Sequence, residues 1–146
     1  MNPFLLDSMT RLAHWKTFRK ALIDKTVTDQ IDAVALYFSK APIGVCACDL
    51  DNAAQWPNPW ELVHNNQWCR SSVAIGMENT LRLAGVASDR LTLRLISDDL
   101  YQALLILIID DYYVLNYAWG SVHFIPLPNH HVIHQWHYVD RSYSQL

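Results

Sequence analysis

Apolar positions recur at helical spacing in the first half of the chain and at strand spacing in the second. Leu12, Trp15, Phe18 and Leu22 make one stripe over residues 8 to 25, with Arg11, Lys16, Arg19 and Lys20 mainly off it. Ser8 is placed to cap that helix. A second helix fits 28 to 40, with Thr28 as cap, Asp29 in the first turn and Ile31, Val34, Ala35 and Phe38 as its stripe; Pro42 ends it. Residues 41 to 60 read as irregular, with a short strand at 43 to 48. Pro57 and Pro59 stiffen the approach to "WELVHNN", a short helix with Pro59 near its first turn. The strongest run follows: Val73, Gly76, Met77, Thr80, Leu81 and Ala84 describe a helix with one buried face, stopped at Gly85. Cys69 lies four residues before Val73 and joins that face.

The period then changes. "LTLRLIS" (91 to 97) alternates as a half-buried strand does. "QALLILII" and "YYVLNYAW" flank Asp110 and Asp111 and predict a hairpin whose first strand is buried on both faces. "SVHFIPL" (121 to 127) predicts a further strand, and the tail one more before it frays. Helices first, then a helix leading into an antiparallel meander, is an α+β layout. A length of 146 residues fits a single domain spanning 1–146.

Composition narrows the function classes. The net charge is −3 with no basic tract, which argues against nucleic acid as a partner. The most apolar run, "ALLILII", is far shorter than the roughly 20 residues a membrane helix needs. Three cysteines, Cys46, Cys48 and Cys69, without a secretory-type leader predict reduced thiols and neither export nor membrane insertion. Charged residues are only 17% of the chain and hydrophobic ones 51%. That balance, with six tryptophans and seven tyrosines, suits a subunit packed against other proteins. Trp56, Trp60, Trp68, Trp136, Tyr138 and Tyr143 are the candidate anchors, and 129–146 is the candidate docking tail.

Chemistry-bearing residues are few. A cysteine at a helix start is a candidate nucleophile, because the helix end favours negative charge there. It needs an imidazole base and an orienting group. His64 and His123 are the candidate bases and Asn116 the candidate orienter. The competing reading is a buried cysteine that only packs. His130, His131, His134 and His137 are weak metal candidates: on a helix His130 and His134 share a face, whereas on a strand His131 and His137 do. No complete ligand set is evident and no cofactor is expected. "CAC" at 46 to 48 has the wrong spacing for a zinc knuckle. Asp98–Asp99 and Asp110–Asp111 read as turns.

A cysteine opening a buried helix, followed by antiparallel strands, resembles the core of transglutaminase-like and papain-like cysteine enzymes. In that pattern the histidine opens the first long strand and the aspartate ends the next. The resemblance puts Gln102 at the histidine position and Asn116 at the aspartate position. An amide cannot exchange a proton near neutral pH, so the implied triad is incomplete. Register matters as well. If Asp110–Asp111 is a two-residue turn, Asn116 faces Leu105; an odd-length loop instead puts Gln102 and Asn116 on one face.

A second resemblance rests on "WPNPWEL", "AIGMENTL", "VLNYAWG" and "KAPIGVCACDL". These strings are similar to those of small proteins of tailed bacteriophages. That resemblance implies a non-catalytic subunit of a virion or its assembly, located in the particle or the host cytoplasm, with phage structural proteins as partners. The expectation is therefore a degenerate transglutaminase-like interaction protein. The alternative is a cysteine hydrolase or acyltransferase using Cys69.

Overall fold

A computed structural model describes residues 1–45, 49–98, 100, 102–128 and 130–138. Four helices precede five strands: α1 (Ser8–Leu22), α2 (Val27–Phe38), α3 (Pro59–Asn65), α4 (Arg70–Leu83), β1 (Leu91–Ser97), β2 (Ala103–Ile109), β3 (Tyr113–Leu115), β4 (Val122–Phe124) and β5 (His131–His137). The α+β layout read from the sequence is the observed one. Residues 46–48, most of the short strand expected at 43 to 48, lie outside the described residues, as do Tyr143 and the rest of 139–146.

Helix ends follow side-chain caps, and two differ from expectation. Asp7, not Ser8, caps α1, accepting from the Thr10 N–H at 3.0 Å. Thr26, not Thr28, caps α2, accepting from the Asp29 N–H at 3.2 Å. In both cases the preceding residue holds extended backbone and its side-chain oxygen reaches a first-turn donor, as a cap requires. Helix α2 stops at Phe38, well before Pro42. Helix α3 has Pro59 in its first turn as predicted, and Asn58 caps it.

The largest departure among the helices is Arg11. Its charge and its place off the apolar stripe predict exposure, yet it is buried. Its guanidinium donates to the Val63, His64 and Leu6 carbonyls. The first two belong to the last turn of α3, where carbonyls lack intrahelical partners. A fork of fixed donors suits three acceptors at once.

The sheet order is β4-β3-β2-β1-β5, antiparallel throughout. Strands β1 to β4 form the expected meander, but β5 returns to the opposite edge, beside β1. One face packs on α4: Leu91, Leu93, Leu95, Leu105, Leu107 and Ile109 meet Val73, Ala74, Met77 and Leu81 in the main core. The other face carries Ile96, Ile106, Ile108 and Val114 under Leu127 and Ile125 of the β4–β5 connection. That connection explains why β2 is buried on both sides. Helix α4, expected to bury one stripe, is buried from Ser71 through Leu81, because α1, α2 and α3 cover the side away from the sheet. Gly76 admits this crowding: a methyl group there would lie 2.9 Å from both Phe38 Cε1 and Trp68 Cζ3.

Three of the predicted anchors are core. Trp56, Trp68 and Trp136 are buried, Trp56 meeting Trp136 edge-on at 4.7 Å between ring centres. Within the expected docking tail, residues 131–137 form β5 and pair with β1. Trp60 stays half-exposed, and Tyr138 lies under the Arg82 guanidinium at 4.1 Å. No helix among the described residues is long and apolar enough to cross a membrane.

Candidate active-site cleft

Cys69 is the N-cap of α4 rather than part of its stripe. Its Sγ accepts from the Ser72 N–H at 3.4 Å, and the Ser72 Oγ accepts from the Cys69 N–H at 2.9 Å. This reciprocal capping box fixes the thiol at the positive end of the helix. The residue is only 3% exposed. It nevertheless lines a cleft of about 670 Å³ with Pro42–Val45, Pro57, Leu62 and Trp68 as apolar walls. Gln55, Glu61, Asn65, Asn66, Gln67 and Ser72 supply its polar groups. The far wall is held by the Gly44 N–H donating to the Trp68 carbonyl at 2.8 Å. Trp68 donates from Nε1 to Asn66 Oδ1, and Asn66 donates from Nδ2 to the Phe4 carbonyl. The proline–tryptophan segment is therefore a rigid bracket that shapes this cleft.

The sheet side of Cys69 is set by Asn116. The β2–β3 connection is three residues, 110 to 112, since Ile109 pairs with Tyr113. The odd loop length holds, and by register Asn116 follows on opposite Ile106, on the face away from α4. Asn116 does not stay there. It leaves the strand at φ 71°, and its Nδ2 donates to the Arg70 carbonyl at 2.6 Å and the Leu105 carbonyl at 2.9 Å. The Leu105 N–H in turn donates to Ser71 Oγ at 3.2 Å. Asn116 thus reaches the mouth of α4. Gln102 does not reach the base position: it is exposed in the β1–β2 turn, its N–H donating to Asp98 Oδ1. The β2 residue held between Ser71 and Asn116 is Leu105, fully buried.

Neither candidate base is among the described residues lining the Cys69 cleft. His64 is exposed on α3 with its ring nitrogen against Asn65, and it is not among the cleft residues. His123 pairs with Val114 and packs on Tyr117, on the sheet face opposite α4. Strand parity could have excluded His123 once the β3–β4 register was known. The burial of Leu105 carries no such signal in the sequence, since a run of seven apolar residues hides which one stands nearest the helix.

The histidines of β5 are also rearranged. The register slips between Leu95 and Ile96, so His134 pairs with Leu95 and His131 with Ser97, whereas His137 pairs with Thr92. The bulge therefore puts His131 and His134 on one face and His137 on the other, against simple alternation. Among the described residues no three His, Cys, Asp or Glu side chains converge as metal ligands.

A cysteine capping a central helix on an antiparallel sheet, with Asn116 behind it, defines the transglutaminase-like α+β fold. No family model and no curated protein matches the chain. Solved structures do. Calcium-bound LapG of Legionella pneumophila superposes with a TM-score of 0.76 at 19% identity, over 90% of this chain and 76% of that one. A second structure of Legionella pneumophila LapG gives 0.76 at 19% identity, over 88% and 74%. EGTA-treated LapG gives 0.75 at 19% identity, over 88% and 73%. At this identity the likeness is one of fold.

Proposed function

We propose that the chain is a transglutaminase-like cleft protein that holds an extended polypeptide segment of a partner beside Cys69 without turning it over. The observation that carries this reading is the cleft itself: it has the thiol and its walls, while none of the described residues lining it is a histidine. A cleft with apolar walls and several carboxamides, with Glu61 as the one charged side chain among the described residues lining it, suits peptide groups better than phosphates. The motif likeness to small phage proteins would make the partner another subunit of a particle or its assembly. Selection from a displayed library of short random peptides tests this. A shared motif, lost when Gln67→Trp fills the cleft, supports it. No motif, or one indifferent to that substitution, sinks it.

A second reading has its own observation. The fold shared with LapG and the thiol at the α4 N-cap favour a cysteine hydrolase or acyltransferase using Cys69. A burst of p-nitrophenol from p-nitrophenyl acetate, abolished by Cys69→Ser, would install that reading in place of the first.

A further inference from the structure

Asn116 is 2% exposed, and its Oδ1 is buried without a hydrogen-bond partner. Leaving a buried amide oxygen unsatisfied costs roughly 1–3 kcal/mol, so such an atom calls for a physical reason. Its Nδ2 is fully used, bridging the first turn of α4 and the β2 backbone. The left-handed backbone at Asn116 is what turns the amide toward α4. Beside it, the Leu105 peptide is clamped from both sides, by Ser71 on its N–H and by Asn116 on its carbonyl. Leu105 shares its sheet face with the residues packed on α4, so its side chain stands on the helix side, next to the turn that Cys69 opens.

We infer that position 105 is the general-base place of the Cys69 site, occupied here by a leucine, and that Asn116 is the positioning residue retained for it. An imidazole at 105 would give Asn116 Oδ1 the N–H donor it lacks and turn its other nitrogen toward the thiol. A nucleophilic cysteine needs that order of groups: thiol, base, orienter. The chain is then one side chain from a thiol–imidazole–carboxamide relay. This deepens the reading of the cleft given above. It concerns the sheet side of Cys69 and involves no peptide, so the two stand or fall separately.

Leu105→His with iodoacetamide as the probe tests it. The introduced imidazole takes the Cys69 thiol proton, and sulfur bonds to the methylene carbon. The carbon–iodine bond breaks and iodide leaves with the electron pair. The imidazolium then returns its proton to solvent. Site-resolved mass spectrometry separates Cys69 from Cys46 and Cys48. Labelling of Cys69 should rise roughly tenfold or more at neutral pH, with a pH profile that follows an imidazole. Adding Asn116→Ala should erase most of the gain and move the profile, while Asn116→Asp should keep it. Unchanged labelling in a folded Leu105→His protein overturns the inference, as does a gain indifferent to Asn116→Ala. If Leu105→His does not fold, Leu105→Ala with free imidazole in the buffer decides by the same readout. Failure of both to fold also overturns it, since a base's place must accept a base.

Discussion

Arg90 and Asp110 form a two-pronged ion pair, with Nε and Nη2 each 2.7 Å from a carboxylate oxygen, across the open end of the β1–β2 ladder. The Asp110 N–H also donates to the Arg90 carbonyl at 2.9 Å, and Asp110 sits at φ 57° to begin the three-residue turn into β3. The pair therefore pins the turn that sets the β2–β3 register, and with it the reach of Asn116.

The Arg90 hydrogen bonds hold the Asp110 carboxyl below its ordinary value of 3.8. A depressed carboxylate contributes stability above its unfolded value and loses it as pH falls through the folded one. Both side chains are a third or more exposed, so the effect is that of a surface pair. Asp110→Asn should cost less than about 1 kcal/mol at pH 7. The difference from wild type should shrink toward pH 3 and below. Urea unfolding at the two pH values measures it.

Gly76 makes the opposite kind of prediction, through volume. A methyl group at 2.9 Å from two buried rings cannot be absorbed by a flexible chain end, because Phe38 and Trp68 also pack on each other, 5.6 Å between centres. Gly76→Ala gains helix propensity of about 1 kcal/mol. Overpacking costs about 1–3 kcal/mol and should win. The denaturation midpoint should fall, and the indole fluorescence of the folded state should change as Trp68 shifts.

Arg11 should be hard to replace. Arg11→Met keeps the buried stem but leaves three carbonyls without their donor, at a cost of about 2–4 kcal/mol. Arg11→Lys should recover less than half, because an ammonium cannot match the fork. Equal stability of the lysine variant and wild type would contradict this account.

Much of the architecture could be read from spacing alone. The helical stripes, the Pro59 start, the alternation at 91 to 97 and the doubly buried β2 all depend on local periodicity. What spacing could not supply are facts of tertiary origin. Arg11 reads as a surface charge because two of its three acceptors lie on α3, about fifty residues away in sequence. Trp56 and Trp136 read as either anchors or core residues, because their partners are each other. Cys69 and Asn116 are legible as candidate positions through the resemblance to cysteine enzymes, and the fold brings both to the mouth of α4. Gln102 falls outside the sheet because strand β2 starts one residue later, and Asn116 leaves its strand by a left-handed turn.

Tyr37 offers a titration that reports on the α1–α2 contact. Burial pushes its phenol up to about 12, against an ordinary value of 10.0. Its ring stacks on Phe18 at 4.1 Å and meets Phe4 edge-on. A raised value means the folded state keeps the proton longer. The stability it contributes is complete below pH 10 and is lost as pH rises toward 12. Tyr37→Phe should therefore flatten the stability curve over that window. Phenolate absorbance in the folded wild type should show one tyrosine fewer titrating near pH 10 than in urea.

The Trp56–Trp136 contact decides whether β5 and the proline–tryptophan bracket act as one unit. The two rings meet at 4.7 Å and 74°, an edge-to-face geometry. Such pairs are worth about 0.5–1.5 kcal/mol beyond the area they bury. Each alanine substitution alone should cost about 3–5 kcal/mol. The double variant should cost less than the sum by about 1 kcal/mol, as contacting residues do. Trp136→Ala should also loosen the bracket that walls the Cys69 cleft, because Trp56 donates from Nε1 to the Asp49 carbonyl at 2.8 Å and ties that loop to β5. Hydrogen exchange at residues 53 to 57 measures this directly. Faster exchange there in Trp136→Ala, with α1 and α2 unchanged, is the expected result. Exchange unchanged at 53 to 57 would mean that the bracket stands without β5.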